Sequence, residues 1–328
     1  MIPTSGEKIV VTTSPQLEAM VRTTDVGKRF KDAGLRVLFL ESFTPPFSFD
    51  SAQVVAVVAS NKGNDLFDAR EMDLFPSCKV ITPFGIGTDH INLAEAKHRG
   101  IPVTCVPKVM RKSVAELVIG LIISLAHRIS EADALMKRGV WDRLVGSTLE
   151  GKTLGIVGLG NIGKEVAKRA FPFDMRILAH DIVYDEYFLR EHPYVIQVSR
   201  DELFETSDII TFHVPLTVET KYMVKAESIA QMKDGVCIVN TARGLIVDER
   251  ALLDALKKKK VGGAALETFS KEPPFGNVVL EELILLSNVI TTPHLATFTP
   301  EVRYAVANRV LHNISVVLDG RIHDADIV

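Results

Sequence analysis

Short apolar runs rich in β-branched residues recur along the first third of the chain. They are KIVVTT (8–13), RVLFLE (36–41), QVVAVVA (53–59), KVITPF (79–84) and PVTCV (102–106), with polar, helix-compatible stretches between them. Such runs predict strands buried on both faces, and their alternation with helical segments predicts parallel pairing through crossover helices. A second series begins at TLGIVGL (153–159), where a helix opens near Ile162, and continues through RILAHD (176–181), DIITFHV (208–214), VCIVNT (236–241), VGGAAL (261–266) and NVITTP (288–293). Helices fit most of the gaps, DERALLDALKKK (248–259) among them, and helical spacing returns from about Pro300 to Leu318. Between the two series the period changes. Ser113 to Arg138 reads as one long helix, with Ser113 and Glu116 as a capping box. Its middle, ELVIGLIISLAHRI, is apolar nearly all round, so it must be buried on several sides. Packing between domains and against a second copy would do this, and a homodimer through the 113–138 region is the expectation.

Two strand–helix series in 328 residues predict two α/β domains, since a single core rarely serves a chain of this length. Composition narrows the class without changing the fold. Hydrophobic residues make up 47% and charged residues 24%, and the net charge of −3 offers no basic surplus for nucleic acid. The longest apolar run, 117–126, is too short to span a bilayer, and the N-terminus shows no signal-peptide pattern. Cys78, Cys105 and Cys237 are scattered and odd in number, which predicts neither disulfides nor a metal site and fits a reducing, cytoplasmic compartment. No membrane or nucleic-acid partner is expected, and no regulatory appendage.

Candidate chemistry begins at GLGNIG, Gly158 to Gly163. A G-x-G-x-x-G run carries weight here because a strand precedes it, a helix opens at it, and the next strand ends in Asp181. Gly158 would make the tight turn. Gly160 would let the backbone approach a pyrophosphate, and Gly163 would let helix and strand pack closely. The helix amides would then face the anion. Asp181 would accept from the adenosine ribose hydroxyls and repel a 2′-phosphate, which predicts NAD(H) over NADP(H). Lys164 and Arg176 are the nearby cations.

Several further segments share one order along the chain: SVAEL (113–117), GKTLGIVGLGNIGKEVA (151–167), HVPLT (213–217), NTARGLIVDERAL (240–252), GAALETFSKEP (263–273) and TPHLA (292–296). Together they resemble the NAD-dependent D-isomer specific 2-hydroxyacid dehydrogenase family, in the short form similar to phosphoglycerate dehydrogenases. The resemblance implies two Rossmann-like domains. A flavodoxin-like substrate domain would comprise 1–105 plus 297–328, and a doubly wound NAD-binding domain 106–296. The active site would lie in a cleft, with hinges near Pro107 and Thr297. It implies a catalytic triad of Arg243, Glu272 and His294. Arg243 would clamp the substrate carboxylate and polarise the keto oxygen. His294 would move the proton, with Glu272 holding the ring and favouring its protonated form. The cofactor-facing positions would be Gly158, Gly160, Asn161, Ile162, Gly163, Asp181, His213, Val214, Pro215, Thr241, Ala242 and Glu267. At Glu267 the family usually has Asp, contacting the nicotinamide carboxamide, and Thr268 replaces the common apolar residue.

On the substrate side, FGIGTD places Gly85, Ile86 and Gly87 where the family's backbone amides hold a carboxylate. VASNKG (58–63) lacks the arginine that phosphate-binding members carry, and leaves Lys62 as the candidate for a distal anion. Arg111 and Lys112 depart from the small polar residues usual before SVAE, so one of them is expected to face the pyrophosphate or a charged substrate tail. Phosphoglycerate, glyoxylate or hydroxypyruvate, and D-lactate-type substrates all stay open. From another functional class, an NAD(H)-sensing scaffold resembling the C-terminal-binding corepressors would keep the same residues.

Overall fold

The structure is a computed structural model that describes residues 7–60 and 66–328. It divides into two units, Met1–Met110 with Phe298–Val328, and Arg111–Thr297. In the first unit β1 (Lys8–Thr12), β2 (Leu35–Phe39), β3 (Val54–Ala59) and β4 (Val80–Pro83) form a parallel sheet in the order β2-β1-β3-β4. That is the start of the flavodoxin-like order. The expected fifth strand at 102–106 does not form. Val103 makes a single bridge to Ile81, and Thr104 a single antiparallel bridge to Ile327. Ile9, Val11, Val57 and Ile81 bury their side chains against Phe67, Met72 and Phe75.

The second unit holds β5 (Thr153–Val157), β6 (Arg176–His180), β7 (Val195–Gln197), β8 (Ile209–Phe212), β9 (Val236–Asn240), β10 (Val261–Leu266) and β11 (Val289–Thr291). They form one parallel sheet in the order β11-β10-β9-β8-β5-β6-β7. The strand order reverses between β5 and β8, which is the doubly wound arrangement. Neighbouring residues in a strand supply opposite faces. Ile238 and Ala264 join one apolar layer with Phe204, Leu252 and Leu283, whereas Val239 and Ala265 join the other with Val118, Ile122 and Val166. Both faces are therefore covered, and this accounts for the unbroken apolar runs.

The predicted 113–138 helix is two helices, Arg111–Ala126 and Ile129–Lys137, bent by 66°. The break falls at Arg128, whose backbone is left-handed (φ 55°), a conformation that ends α-helical hydrogen bonding. Ser113 does not cap the helix, which starts before it. Its hydroxyl donates instead to the carbonyl of Ala296. Among the described residues no single helix is long and apolar enough to cross a membrane.

Candidate active site

The strand ends of the second unit lie in register. Val157 pairs with His180 and with Phe212, Phe212 and Leu266 each pair with Asn240, and Leu266 pairs with Thr291. The next residue along each strand is therefore set on one carboxyl edge: Gly158, Asp181, His213, Thr241, Glu267 and Thr292. Gly158 and His213 flank the switch point, where open α/β sheets bind ligands.

Two features of the glycine loop follow from close packing. Gly158 has φ 95°, and a Cβ there would lie 2.7 Å from the carbonyl of His213; a Cβ on Gly163 would lie 2.0 Å from the carbonyl of Gly158. Above Gly160, by contrast, a Cβ would meet nothing within 4 Å. The carboxylate of Asp181 accepts from the amide of Leu159 (2.6 Å) and from that of Ile182 (2.7 Å). It thus ties the loop to the end of β6 as well as presenting a negative charge. Lys164 pairs with Asp185 at 2.6 Å. Burial pushes His213 down to about 3, so its ring is neutral, and it bonds Thr211 at 3.0 Å. The buried Thr241 hydroxyl has no hydrogen-bond partner among the described residues. An orphaned hydroxyl on the edge and open room over Gly160 both fit a dinucleotide lying across the strand ends. Asn161 and Ile162 open the helix Asn161–Ala170, while Val214 and Pro215 continue from His213. Asp181→Ala is expected to raise the KM for NADH by about tenfold, the worth of one charge-assisted hydrogen bond, and to narrow the preference over NADPH. Steady-state kinetics with both cofactors measure it, and an unchanged preference would assign discrimination elsewhere.

The structure brings Glu272 and His294 together: Nδ1 of His294 lies 2.9 Å from the Glu272 carboxylate. The other oxygen of Glu272 accepts from the amide of Phe269 at 3.1 Å. Their side chains are 37% and 51% exposed, so the pair is open on one side. The hydrogen bond that Nδ1 donates to Glu272 raises the His294 pKa; burial and the Arg243 charge oppose it, while the charges of Glu272 and Glu267 add to it. On Glu272 burial works against the charge, but His294, the Phe269 amide and Arg243 outweigh it and hold the carboxyl below its ordinary range. His294 itself has φ 51°. Its amide donates to the carbonyls of Thr292 (3.0 Å) and Glu267 (3.2 Å), which hold it in that strained conformation. Arg243 follows β9 and Ala242. Its carbonyl accepts from the side chain of fully buried Asn240 (2.8 Å), whose oxygen takes the Ala242 amide at 3.1 Å. Asn240 was missed as a site residue; a polar side chain closing an apolar run was the available signal.

Glu267 departs from expectation. Its side chain is fully buried, and its carboxylate accepts from the amide of Ala296 (2.6 Å) and from the hydroxyl of Thr292. It ties down the loop that carries His294, a role the expected carboxamide contact did not include. Arg111 pairs with Glu165 at 3.4 Å, while Lys112 is exposed. In the first unit Gly85 and Ile86 lie in a bend after β4, followed by Gly87; Ile86 is exposed, and the Gly85 carbonyl accepts from the Val106 amide at 2.9 Å. Lys62 lies outside the described residues. Among the described residues no cluster suits a metal ion.

Comparison with known proteins follows the same lines. The sequence profile of the D-isomer specific 2-hydroxyacid dehydrogenase NAD binding domain matches residues 119–296. A glyoxylate reductase of Thermofilum pendens is 41% identical over 80% of this chain and 78% of its own length. A hydroxypyruvate reductase of Thermotoga maritima is 44% identical over 72% and 76%. Among solved structures, a D-lactate dehydrogenase of Aquifex aeolicus, complexed with NAD and lactic acid, superposes with a TM-score of 0.85. It is 27% identical and the match covers 98% of this chain and 99% of that one. The relatives' names lend no support to the scaffold alternative. With its switch-point glycine loop, its paired strand-end residues and these relatives, the chain belongs to the D-isomer specific 2-hydroxyacid dehydrogenase family, NAD-dependent oxidoreductases that act on CH–OH groups.

Proposed function

We propose that the chain reduces a small 2-oxo acid of the glyoxylate or hydroxypyruvate class to its D-2-hydroxy acid with NADH, and catalyses the reverse reaction when NAD is supplied. The observation that carries this reading is the 2.9 Å bond between Glu272 and Nδ1 of His294. With Nδ1 engaged by a carboxylate, the transferable proton resides on Nε2. When bound, NADH supplies the hydride that ends on C2 of the substrate. Arg243 binds the substrate carboxylate and polarises the keto oxygen. The imidazolium of His294 gives its Nε2 proton to the developing alkoxide and is left neutral, to be reprotonated by solvent. In oxidation the neutral ring takes the hydroxyl proton. The choice of class rests on the lack of the phosphate-binding arginine in VASNKG and on two relatives of those names matched over 78% and 76% of their own length, whereas phosphoglycerate dehydrogenases of 40–43% identity are matched over only 46–48% of theirs.

A panel of 2-oxo acids with NADH, read as loss of absorbance, tests the proposal. Fastest turnover is expected on glyoxylate or hydroxypyruvate, and preference for pyruvate or a phosphorylated acid would refute the substrate class. The pH dependence tests the mechanism. Reduction needs imidazolium, so it is complete below the His294 pKa and fades as pH rises through it. Because Glu272 raises that pKa, Glu272→Gln is expected to move the fade to lower pH. A profile that does not move would contradict the pairing.

We further propose a homodimer through the segment that follows the helix break. Ile129, Met136, Trp141 and Val145 are exposed there at 50%, 53%, 78% and 86%. Grouped apolar exposure of this kind marks an association surface. Sedimentation of the protein should give twice the chain mass, and Trp141→Asp with Val145→Asp should release monomer.

A further inference from the structure

The Glu272 carboxylate is held by a loop, 267–273, whose own anchorage lies on the segment that carries Arg243. The helix Glu249–Lys257 begins at Glu249, directly after its cap Asp248. One oxygen of Glu249 accepts from the amide of Ser270 at 2.7 Å, and the other accepts from the Ser270 hydroxyl. The preceding amide, that of Phe269, donates to Glu272. Two consecutive backbone amides thus serve two different carboxylates. The orientation of the first peptide is set by what grips the second. A further contact joins the same two segments: a Cβ on Gly244, next to Arg243, would sit 1.9 Å from the carbonyl carbon of Phe269 and 2.3 Å from the amide nitrogen of Ser270. The Arg243 turn and the Glu272 loop therefore touch backbone to backbone.

We infer that Glu249 and Ser270 are positioning residues, a bracket that aims the Phe269 amide at Glu272 and so holds Glu272 on Nδ1 of His294. Glu249 touches no reacting atom. Its position in the chain, closely following Arg243, lets one turn place the guanidinium and brace the carboxylate. Released from the bracket, the 269–272 segment loses the amide that engages Glu272, and the carboxylate, already part-exposed, turns toward solvent. The imidazole then loses its anionic partner. This inference deepens the proposed reaction and rests on it for its kinetic consequence alone.

The test uses the full chain saturated with NAD and labelled on histidine, with the His294 signal assigned by His294→Asn. NMR titration gives the imidazole pKa in the wild type, Ser270→Ala, Glu249→Ala and the double variant. Each single variant is expected to lower the pKa by about 0.5 unit or more, with the double no worse than the larger single effect, because the two residues act as one unit. Ser270→Thr, which keeps hydroxyl and amide, restores the wild-type value. In 2-oxo acid reduction the same variants should lose about tenfold in kcat at neutral pH with the KM for NADH within about twofold. Should the alanine variants fail to fold, Glu249→Gln keeps one acceptor for the Ser270 amide and is expected to shift the pKa by a smaller step. Folded variants whose His294 pKa equals the wild-type value would overturn the inference. A lowered pKa in a protein that turns over no 2-oxo acid would uphold the bracket and refute the dehydrogenase substrate reading instead.

Discussion

His294→Ala lowers kcat for 2-oxo acid reduction by on the order of a hundredfold or more and leaves NADH affinity within about twofold. The loss is large because the variant removes the imidazole that pairs with Glu272 and delivers the proton. Water must then protonate the alkoxide, without the orientation that the Glu272 bond and the left-handed backbone at residue 294 impose on the ring. Cofactor binding survives because the glycine loop, Asp181 and Thr241 sit on other strand ends of the same sheet. Stopped-flow reduction with NADH in excess, together with NADH fluorescence titration, separates the two quantities. An alanine variant within about threefold of wild-type kcat would remove His294 from the mechanism.

Glu267→Ala lowers stability by about 2–4 kcal/mol, which for a unit of this size is a fall of roughly 5–15 °C in melting temperature. The cost follows from what the carboxylate satisfies. The buried Ala296 amide and the part-buried Thr292 hydroxyl both lose the acceptor they use in the structure. The deleted side chain also leaves a void in a site that is fully buried. Activity falls too, because the loop from Thr292 to Ala296 is what keeps His294 in its left-handed conformation. Glu267→Gln separates the contributions. Its amide oxygen still accepts from Ala296, and the Thr292 hydroxyl can rotate to meet the amide, so most of the stability returns while the negative charge near His294 is lost. Differential scanning calorimetry of both variants measures this, and an alanine variant melting within about 1 °C of wild type would show that the buried carboxylate is not a structural tie.

Much of the site was legible because a parallel sheet buried on both faces writes its strands as unbroken apolar runs, and the polar residue that ends each run marks the carboxyl edge. Asp181 was found in this way, and His213, Thr241 and Glu267, which the resemblance supplied, likewise stand directly after strands. The edge strand β7 went unread: it is only three residues long, and Ile196 and Gln197 are exposed, so no apolar run marks it. The break at Arg128 was equally hidden, since a single left-handed residue inside an apolar helical pattern leaves the periodicity intact on either side.

Carboxylate partners were the least legible feature. GAALETFSKEP contains two glutamates, and spacing treats them alike. In the structure Glu267 continues straight from β10 into the interior and binds loop backbone, while the chain turns over Gly244 and returns Glu272 to the surface beside His294. By itself the sequence determined the strands and the dinucleotide loop, through local periodicity and residue types at short range, and its motif segments, in their shared order, carried the resemblance that named the family and its carboxyl-edge residues. The resemblance already paired Glu272 with the imidazole, and the structure agrees; only the tertiary structure decided that Glu267 is a buried tie and what braces each carboxylate. Those choices depend on chain path and desolvation across segments that are near in space, and side-chain type alone carries no information about either.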